Sequence, residues 1–275
     1  MIHIVASSDN NYAQHVGVMF YSLLSNTSTP EIIQIHLISD GISRENIAKL
    51  QSCVCDFGAS LSIIVADNTR YENLPTLRYG TAAYQRMSMG DYLPNSVHKA
   101  IYLDCDILVL SDIEQLWRQS LDNKPIAAVE NLSPKACKSL GFSRKSYFNS
   151  GVLIANLQWW REHNIYDTGV SFIKQHSAKL QYIDQCTLNH VFKDNWKKLS
   201  LSWNQQADIY GVLKKYHDGC GYSKESIQQA ISNPDIVHFI GKQKPWLYNC
   251  FHPYKSIYTH YLEKTPWKGD RKSVV

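Results

Sequence analysis

The 275-residue sequence lacks any run of about 18 apolar residues, so it predicts no membrane-spanning helix. It also lacks a strong charge imbalance, because 28 Lys and Arg residues stand against 24 Asp and Glu residues. A formal net charge of +4 is too small to indicate nucleic acid, and we expect no nucleic-acid partner. The first residues, Met1–Val5, have no basic stretch ahead of the apolar one, so we expect no secretory signal peptide.

Cysteine pairs at zinc-binding spacing are also missing. The seven cysteines are odd in number, none forms a Cys-x-x-Cys pair, and Cys53 and Cys55 are too close for an ordinary zinc clip. We therefore expect reduced thiols in a cytoplasmic protein, either free in the cytoplasm or at the inner face of the membrane. Neither phosphate-binding pattern, GxxxxGK(S/T) or GxGxxG, occurs, so nothing supports a P-loop ATPase or an ordinary dinucleotide-binding fold.

Hydrophobic residues make up 44% of the chain, and their spacing alternates between strand and helix periods. The predicted strands are Ile2–Ala6, Ile32–Ile38, Leu61–Val65, Lys99–Leu103, Pro125–Glu130, Val152–Leu157 and Ile236–Phe239. The predicted helices are Val16–Leu24, Ser43–Leu50, Ala82–Tyr92, Gln158–Arg161, Gln185–Phe192 and Tyr254–Leu262. This alternation predicts an α/β fold, with a mostly parallel sheet and covering helices. Without a repeat or a linker, residues 1–275 are expected to form a single domain.

Two carboxylates, Asp104 and Asp106, directly follow the predicted strand Lys99–Leu103. At positions i and i+2 of extended backbone, their side chains would leave the same face. Close carboxylates repel each other unless a cation lies beside them. They also fall at the carboxyl end of a parallel strand, where open α/β sheets bind ligands. The pattern favours a cation site; the alternative is a turn with two solvated aspartates.

A second group follows the late strand, with His238 at its end, Gly241 three residues on and Lys244 three further. Imidazole and carboxylate ligands together suit a divalent cation such as Mn²⁺. Glycine allows close backbone approach to a ligand, and lysine supplies a point charge for phosphate. Taken alone, a histidine such as His238 is more often a buried residue with satisfied hydrogen bonds than a ligand.

Two shorter segments carry polar residues that could reach a ligand. Phe148–Gly151 is predicted to be a turn that enters a strand. Asp184 and Gln185 open a predicted helix, and Asp184 could simply be its N-cap.

The order of these segments resembles glycosyltransferase family 8, which comprises retaining enzymes that include bacterial lipopolysaccharide galactosyltransferases. Besides the segments above, the resemblance rests on Ala6–Tyr12 after the first strand, on Arg86, and on Asn249–Tyr254, so it covers nearly the whole chain. It implies the GT-A fold, a Rossmann-like α/β domain. The nucleotide-sugar-binding part would be residues 1–110, and the acceptor-binding and closing part residues 111–262. The basic segment 263–275 would be a solvated tail or a peripheral contact with an anionic membrane surface.

The resemblance also implies residue roles. The metal ligands would be Asp104, Asp106 and His238, with Mn²⁺ as cofactor and Mg²⁺ as the alternative. The nucleotide would be held by Ser7, Asp9, Asn11, Tyr12, Asp104, Asp106, Gly241 and Lys244. The donor sugar would be surrounded by Arg86, Asn149, Gly151, Asp184 and Gln185, and Glu130 is a candidate on the acceptor side.

The implied activity is transfer of a hexose, glucose or galactose, from a UDP-sugar to an unknown acceptor, such as a cell-envelope glycan or glycolipid. A double displacement would want a carboxylate nucleophile beneath the ring, but the matching residue, Gln185, is an amide. We therefore expect attack from the leaving-group face, with Asp184 holding sugar hydroxyls and competing with Gln185 as the catalytic group. The alternative is a catalytically weak protein that binds sugar nucleotides.

Overall fold

A seven-stranded sheet lies at the centre of the computed structural model, which describes residues 1–76, 80–133, 137, 140–214 and 220–270. The strands within these residues are β1 (Ile2–Asp9), β2 (Ile33–Asp40), β3 (Ser60–Val65), β4 (Lys99–Leu103), β5 (Ile107–Val109), β6 (Ile126–Glu130), β7 (Phe148–Asn156), β8 (Lys197–Lys198), β9 (Gln205–Gln206) and β10 (Ile236–His238). The order of the central sheet is β3-β2-β1-β4-β7-β6-β8, and β5-β10-β9 form a small second sheet. In the central sheet, β7 runs antiparallel to β4 and β6, and the other pairs are parallel.

Helices cover both faces of the central sheet. Those of the described residues are α1 (Ala13–Ser25), α2 (Arg44–Cys55), α3 (Met89–Tyr92), α4 (Ile113–Trp117), α5 (Leu157–Glu162), α6 (Ile165–His176), α7 (Ile183–Val191), α8 (Ile209–Lys214), α9 (Lys224–Ser232) and α10 (Lys255–Leu262). Successive strand residues point to opposite faces, so Ile4 packs into the core with α1 and α2, and Val5 into the core with α5, α6 and α7. Burial on both faces explains why the central strands read as continuous apolar runs.

Most predicted elements are confirmed, with shifted ends. The predicted strand Lys99–Leu103 coincides with β4, and the first three predicted strands appear as β1, β2 and β3. Ser43 caps α2 as predicted, because its hydroxyl accepts the Asn46 N–H at 3.2 Å. The α/β expectation with a mostly parallel sheet is thus confirmed.

Two local predictions were wrong, and several elements were missed. The segment Ala82–Tyr92 is not one α-helix, because a 3-10 helix, Ala82–Ser88, precedes α3. Phe148–Gly151 is not a turn but the first part of β7, where it pairs with the end of β6 across a register shift between Ala128 and Val129. The helices α4, α6, α8 and α9 and the short strands β5, β8 and β9 were not predicted at all.

The segment after α10 is packed against the first two helices. Trp267 is buried over Gly17 of α1, and its indole N–H donates to the Asn46 side-chain oxygen at 3.3 Å. Lys264 and Lys268 remain exposed, and residues 271–275 of the predicted basic tail lie outside the described residues.

None of the helices in the described part of the chain has the length and apolar character needed to cross a membrane. All seven cysteines lie among the described residues, and none of them is in a disulfide.

Candidate active site

The two aspartates lie where the large and small sheets meet. The segment from Asp104 to Asp106 joins β4 to β5, and β5 pairs with β10, which places Ile107 opposite His238. The Asp106 carbonyl also accepts the Phe239 N–H at 2.9 Å. As a result, one ligand atom each of Asp104, Asp106 and His238 lies within 4.8 Å of the others. The sequence predicted extended backbone here, whereas Cys105 and Asp106 form a turn between two strands.

Gly151 of β7 forms the wall of this group. Its carbonyl accepts the Asp104 N–H at 2.9 Å, which brings its Cα close to the acidic pair. A Cβ at this position would lie 2.2 Å from His238 Cε1 and 2.7 Å from Asp104 Oδ2. Only glycine therefore leaves the space between the imidazole and the carboxylate open.

The donor set fits a divalent cation. Two carboxylates and one imidazole are oxygen and nitrogen ligands of the kind that suit Mn²⁺, and carboxylates suit Mg²⁺. The His238 Nε2 lies 3.6 Å from Asp104 Oδ2 and 3.2 Å from Asp106 Oδ1. All three side chains are largely buried, so the negative charge needs compensation from nearby cations.

Two protein cations supply such compensation. The Arg86 guanidinium contacts Asp104 at 2.8 Å and Asp184 at 2.9 Å, and it lies over the Tyr102 ring. Burial by itself would lower the pKa of Arg86, but the two carboxylates outweigh it and raise that pKa. The Lys244 ammonium pairs with Asp106. Burial alone would raise the pKa of Asp106, but Lys244 and His238 overcome it and hold that pKa well below its usual range.

Asp184 and Gln185 lie in the first turn of α7, beside β7. Asp184 is not the N-cap of this helix, because the cap position belongs to Tyr182. Burial raises the pKa of the Asp184 carboxyl, against the opposing effect of Arg86. The side-chain oxygen of Gln185 accepts the Ser150 N–H at 3.1 Å, which fixes the orientation of this side-chain amide.

Asn149 of β7 is a buried amide beside the acidic pair. Its side-chain oxygen accepts the Gly151 N–H at 3.0 Å and the amide N–H of Asn204 at 2.9 Å. The predicted donor-sugar residues Arg86, Asn149, Gly151, Asp184 and Gln185 are thus connected through contacts with β7 or with one another.

Four of the residues predicted to hold the nucleotide lie between the end of β1 and the start of α1. Ser7 is buried, and its hydroxyl donates to the Ala82 carbonyl at 2.9 Å. Asp9 accepts the Tyr12 N–H at 2.9 Å, and Asn11 is exposed. The Tyr12 ring is 38% exposed and makes an edge contact with Trp246 at 5.8 Å. These positions lie at the carboxyl edge of the sheet, next to the acidic pair.

The segment Phe239–Trp246, which follows β10, is attached to α1 by the stacking of two rings. Trp246 lies parallel to the His15 ring, with a centroid distance of 3.5 Å. Gly241 has a positive φ of 77°, and no neighbour lies within 4 Å of where its Cβ would be. Lys244, between them, also donates to the Phe239 carbonyl at 2.6 Å.

Glu130, the acceptor-side candidate, is fully buried at the end of β6. Its carboxylate pairs with Lys198 at 2.9 Å and accepts the Gly221 N–H. Its role on the acceptor side stays a prediction. Because the carboxylate is buried, it would influence an acceptor only by positioning Lys198 or Gly221.

Sequence reasoning missed the residues that orient the site. Asn204 connects His238 to Asn149, and Tyr147 and Ser150 flank the Gln185 amide. Their signal was weak, because single buried amides and hydroxyls occur throughout any chain of this length. The nearest hint was the adjacency of Ser150 to Asn149 and Gly151, which had been singled out.

Comparison with known proteins agrees with this geometry. The family model described as glycosyl transferase family 8 matches residues 3–250. General stress protein A of Bacillus subtilis is 35% identical over 273 residues, covering 97% of this chain and 95% of that protein. The lipopolysaccharide glucosyltransferase WaaO of Escherichia coli is 24% identical, covering 98% of this chain and 79% of that protein.

Among solved structures, the galactosyltransferase LgtC in complex with donor and acceptor sugar analogues superposes with a TM-score of 0.86. It is 25% identical, and the match covers 98% of this chain and 99% of that one. This likeness confirms the GT-A fold expected from the sequence. The family match spans well over half of the chain, and the protein belongs to glycosyl transferase family 8.

Proposed function

We propose that this protein is a metal-dependent, retaining hexosyltransferase that moves glucose or galactose from a UDP-sugar to an acceptor hydroxyl. The observation that carries the proposal is the cluster of Asp104, Asp106 and His238 beside the cations Arg86 and Lys244. Similar proteins include a lipopolysaccharide glucosyltransferase and a galactosyltransferase, which supports a hexose donor. The name of the lipopolysaccharide glucosyltransferase favours a cell-envelope glycan or glycolipid as the acceptor class.

In this proposal the nucleotide binds at the carboxyl edge of β1. The exposed Tyr12 ring stacks on the uracil, and Asp9 and Asn11 supply polar groups at the rim. Ser7 shapes the loop, because its hydroxyl is already hydrogen-bonded inside the protein. Asp106 reaches the ribose.

Asp104, Asp106 and His238 would hold the metal. A bound Mn²⁺ or Mg²⁺ would stabilise the negative charge that develops on the departing diphosphate. Lys244 adds a point charge on the same oxygens, and the open backbone at Gly241 permits close approach of the diphosphate.

The residues around the donor sugar favour attack from the leaving-group face. Asp184 is paired with Arg86, and the Gln185 amide is held by Ser150, so neither presents a free carboxylate nucleophile. The bond between the anomeric carbon and the phosphate oxygen breaks, and the acceptor oxygen bonds to the same face of that carbon. The acceptor proton passes to the leaving phosphate oxygen. Asn149 and Gly151 complete the walls of the sugar site.

The test is turnover of a set of UDP-sugars with Mn²⁺, followed by mass spectrometry of the released products. Asp106→Asn should abolish metal-dependent turnover without unfolding the protein. The matched control is Asp122→Asn, which removes the ion pair of an exposed aspartate with Lys197, a residue outside the candidate site. Full activity of Asp106→Asn, or undiminished activity in excess EDTA, would contradict the proposal. If the protein binds a UDP-sugar but does not release UDP even at a slow rate, it is a binding protein and not a transferase.

We also propose a cytoplasmic protein with peripheral membrane contact through its basic tail. The exposed Lys264 and Lys268 support an electrostatic contact with anionic lipid. The buried Trp267 cannot contribute to it, since its ring is packed on α1.

A further inference from the structure

A buried amide, Asn204, lies directly behind the His238 imidazole. It ends the 3-10 helix Leu201–Asn204, just before β9, and its side chain is fully buried. Its side-chain oxygen lies 3.0 Å from His238 Nδ1, and its side-chain nitrogen lies 2.9 Å from Asn149 Oδ1. The predicted site residues do not include it.

The protons in this chain of contacts can be assigned by elimination. The backbone N–H of Gly151 can only donate, so the Asn149 atom 3.0 Å from it is the side-chain oxygen. The Asn204 atom that faces this oxygen must then be the NH₂ group. The other Asn204 atom is therefore the oxygen, and it faces His238 Nδ1. An oxygen acceptor at 3.0 Å requires the proton on Nδ1.

The geometry points to Asn204 as a positioning residue that holds His238 in the tautomer with its proton on Nδ1. With a cation in the site, the Nε2 lone pair would join the carboxylates of Asp104 and Asp106 as a ligand. This inference rests on the proposed metal site. A neutral histidine with its proton on Nε2 would instead turn a lone pair of Nδ1 towards the Asn204 oxygen, an unfavourable contact in a buried setting.

The same amide connects the metal ligand to the sugar side of the site. Its NH₂ group donates to Asn149, which is itself one of the predicted donor-sugar residues. Loss of the oxygen and loss of the NH₂ group should therefore have different effects. The first should weaken metal binding, and the second should disturb donor binding.

Two variants separate these effects. Asn204→Leu removes both contacts, and we expect Mn²⁺ affinity to fall by about 10–100-fold, the usual effect of removing the partner of a ligating histidine. Asn204→Asp keeps an oxygen that accepts the Nδ1 proton but loses the donor to Asn149. We expect it to retain Mn²⁺ affinity within a few-fold while its donor KM rises. The matched control is Gln205→Leu, an equally buried amide whose side chain donates to the Ala230 carbonyl outside the site.

The proton on Nδ1 is read from ¹H–¹⁵N imidazole correlation spectra of the wild type, recorded without metal and with the diamagnetic ion Mg²⁺. Free histidine in water prefers the proton on Nε2, so a neutral ring with its proton on Nδ1 would show that the fold imposes it. Mn²⁺ affinity comes from the electron paramagnetic resonance signal of the free ion, and thermal melting confirms that each variant folds.

A wild-type ring without a proton on Nδ1 would overturn the inference, even if no variant folds. Wild-type Mn²⁺ affinity in Asn204→Leu would overturn it as well. If the wild type neither binds Mn²⁺ nor releases UDP, the proposed function fails, while the spectrum still decides the tautomer.

Discussion

Lys244 occupies the position where a metal-bound nucleotide is expected, and its removal should have two opposite effects. Its ammonium donates to the Asp106 carboxylate and, at 2.6 Å, to the Phe239 carbonyl. Both Lys244 and Asp106 have only 15% of their side-chain surface exposed. A cation that binds Asp106 must therefore compete with this ammonium. Lys244→Met keeps the apolar stem and removes the charge.

The magnitudes follow from the contacts. A hydrogen bond to a charged group is worth about 1.5–3 kcal/mol, so loss of the Lys244 contact with the diphosphate should raise the UDP dissociation constant about 10–150-fold. Without nucleotide, the effect on the metal has the opposite sign. In the wild type the displaced ammonium regains hydration, which reduces the cost of displacing it. Lys244→Met should therefore bind Mn²⁺ more tightly than the wild type by about tenfold, which corresponds to the lower end of that energy range.

The assay combines a Mn²⁺ titration of the nucleotide-free protein with calorimetric titration of UDP at saturating Mn²⁺. Lys242→Met is the matched control, because Lys242 lies in the same segment, is exposed and carries the same charge. It should change neither affinity by more than a few-fold. If Mn²⁺ affinity in Lys244→Met is unchanged, or falls together with UDP affinity, the competition between ammonium and metal is refuted.

The remaining predictions concern the sugar site, the metal cradle and acid stability. Gln185→Ala should slow transfer without abolishing it, and intact-mass spectrometry of the wild type with donor should show no covalent hexosyl adduct; a stable adduct would refute attack from the leaving-group face. Gly151→Ala should lose Mn²⁺ binding in the same titration while its melting temperature shows a folded protein, because the added methyl group fills the cradle; retained binding would refute that reading. Burial, together with His3, lowers the pKa of His36 from 6.5 to about 4, so the unfolded chain binds protons first as the pH falls. The free energy of unfolding, measured with urea, should therefore decrease as the pH falls from about 6.5 to 4, and it should decrease less steeply with pH in His36→Gln. An equal pH dependence in the two proteins would mean that His36 is already protonated in the folded protein.

The sheet could be predicted from the sequence because its central strands are buried on both faces. Ile101 and Tyr102 of β4 belong to the two opposite cores, and such a run of apolar residues is easily recognised. Helix α6 was missed because Gly169 interrupts its apolar pattern. The structure gives the reason for this glycine: a Cβ there would lie 3.2 Å from the Met87 sulfur, so α6 packs closely on the 3-10 helix before α3.

The acidic pair was predictable for a different reason, since two carboxylates at the end of an apolar strand are uncommon enough to indicate function. The turn that carries them was not predictable. It depends on the pairing of β5 with β10, and those strands are separated by more than a hundred residues of chain. Asn204 and Ser150 were missed for the same reason, because each makes its hydrogen bonds to site residues that are remote in sequence.

The charges in the site explain why a metal and a nucleotide should bind together. Three carboxylates, Asp104, Asp106 and Asp184, contact two cations, Arg86 and Lys244, and His238 adds none while it is neutral. The free site therefore carries one uncompensated negative charge. A divalent cation alone reverses that sign and leaves Lys244 without its partner, whereas the diphosphate supplies negative oxygens to both cations. The diphosphate thus compensates the excess positive charge that the metal introduces, and the metal compensates the negative charge of the diphosphate. By linkage, Mn²⁺ and UDP must therefore raise each other's affinity by the same factor.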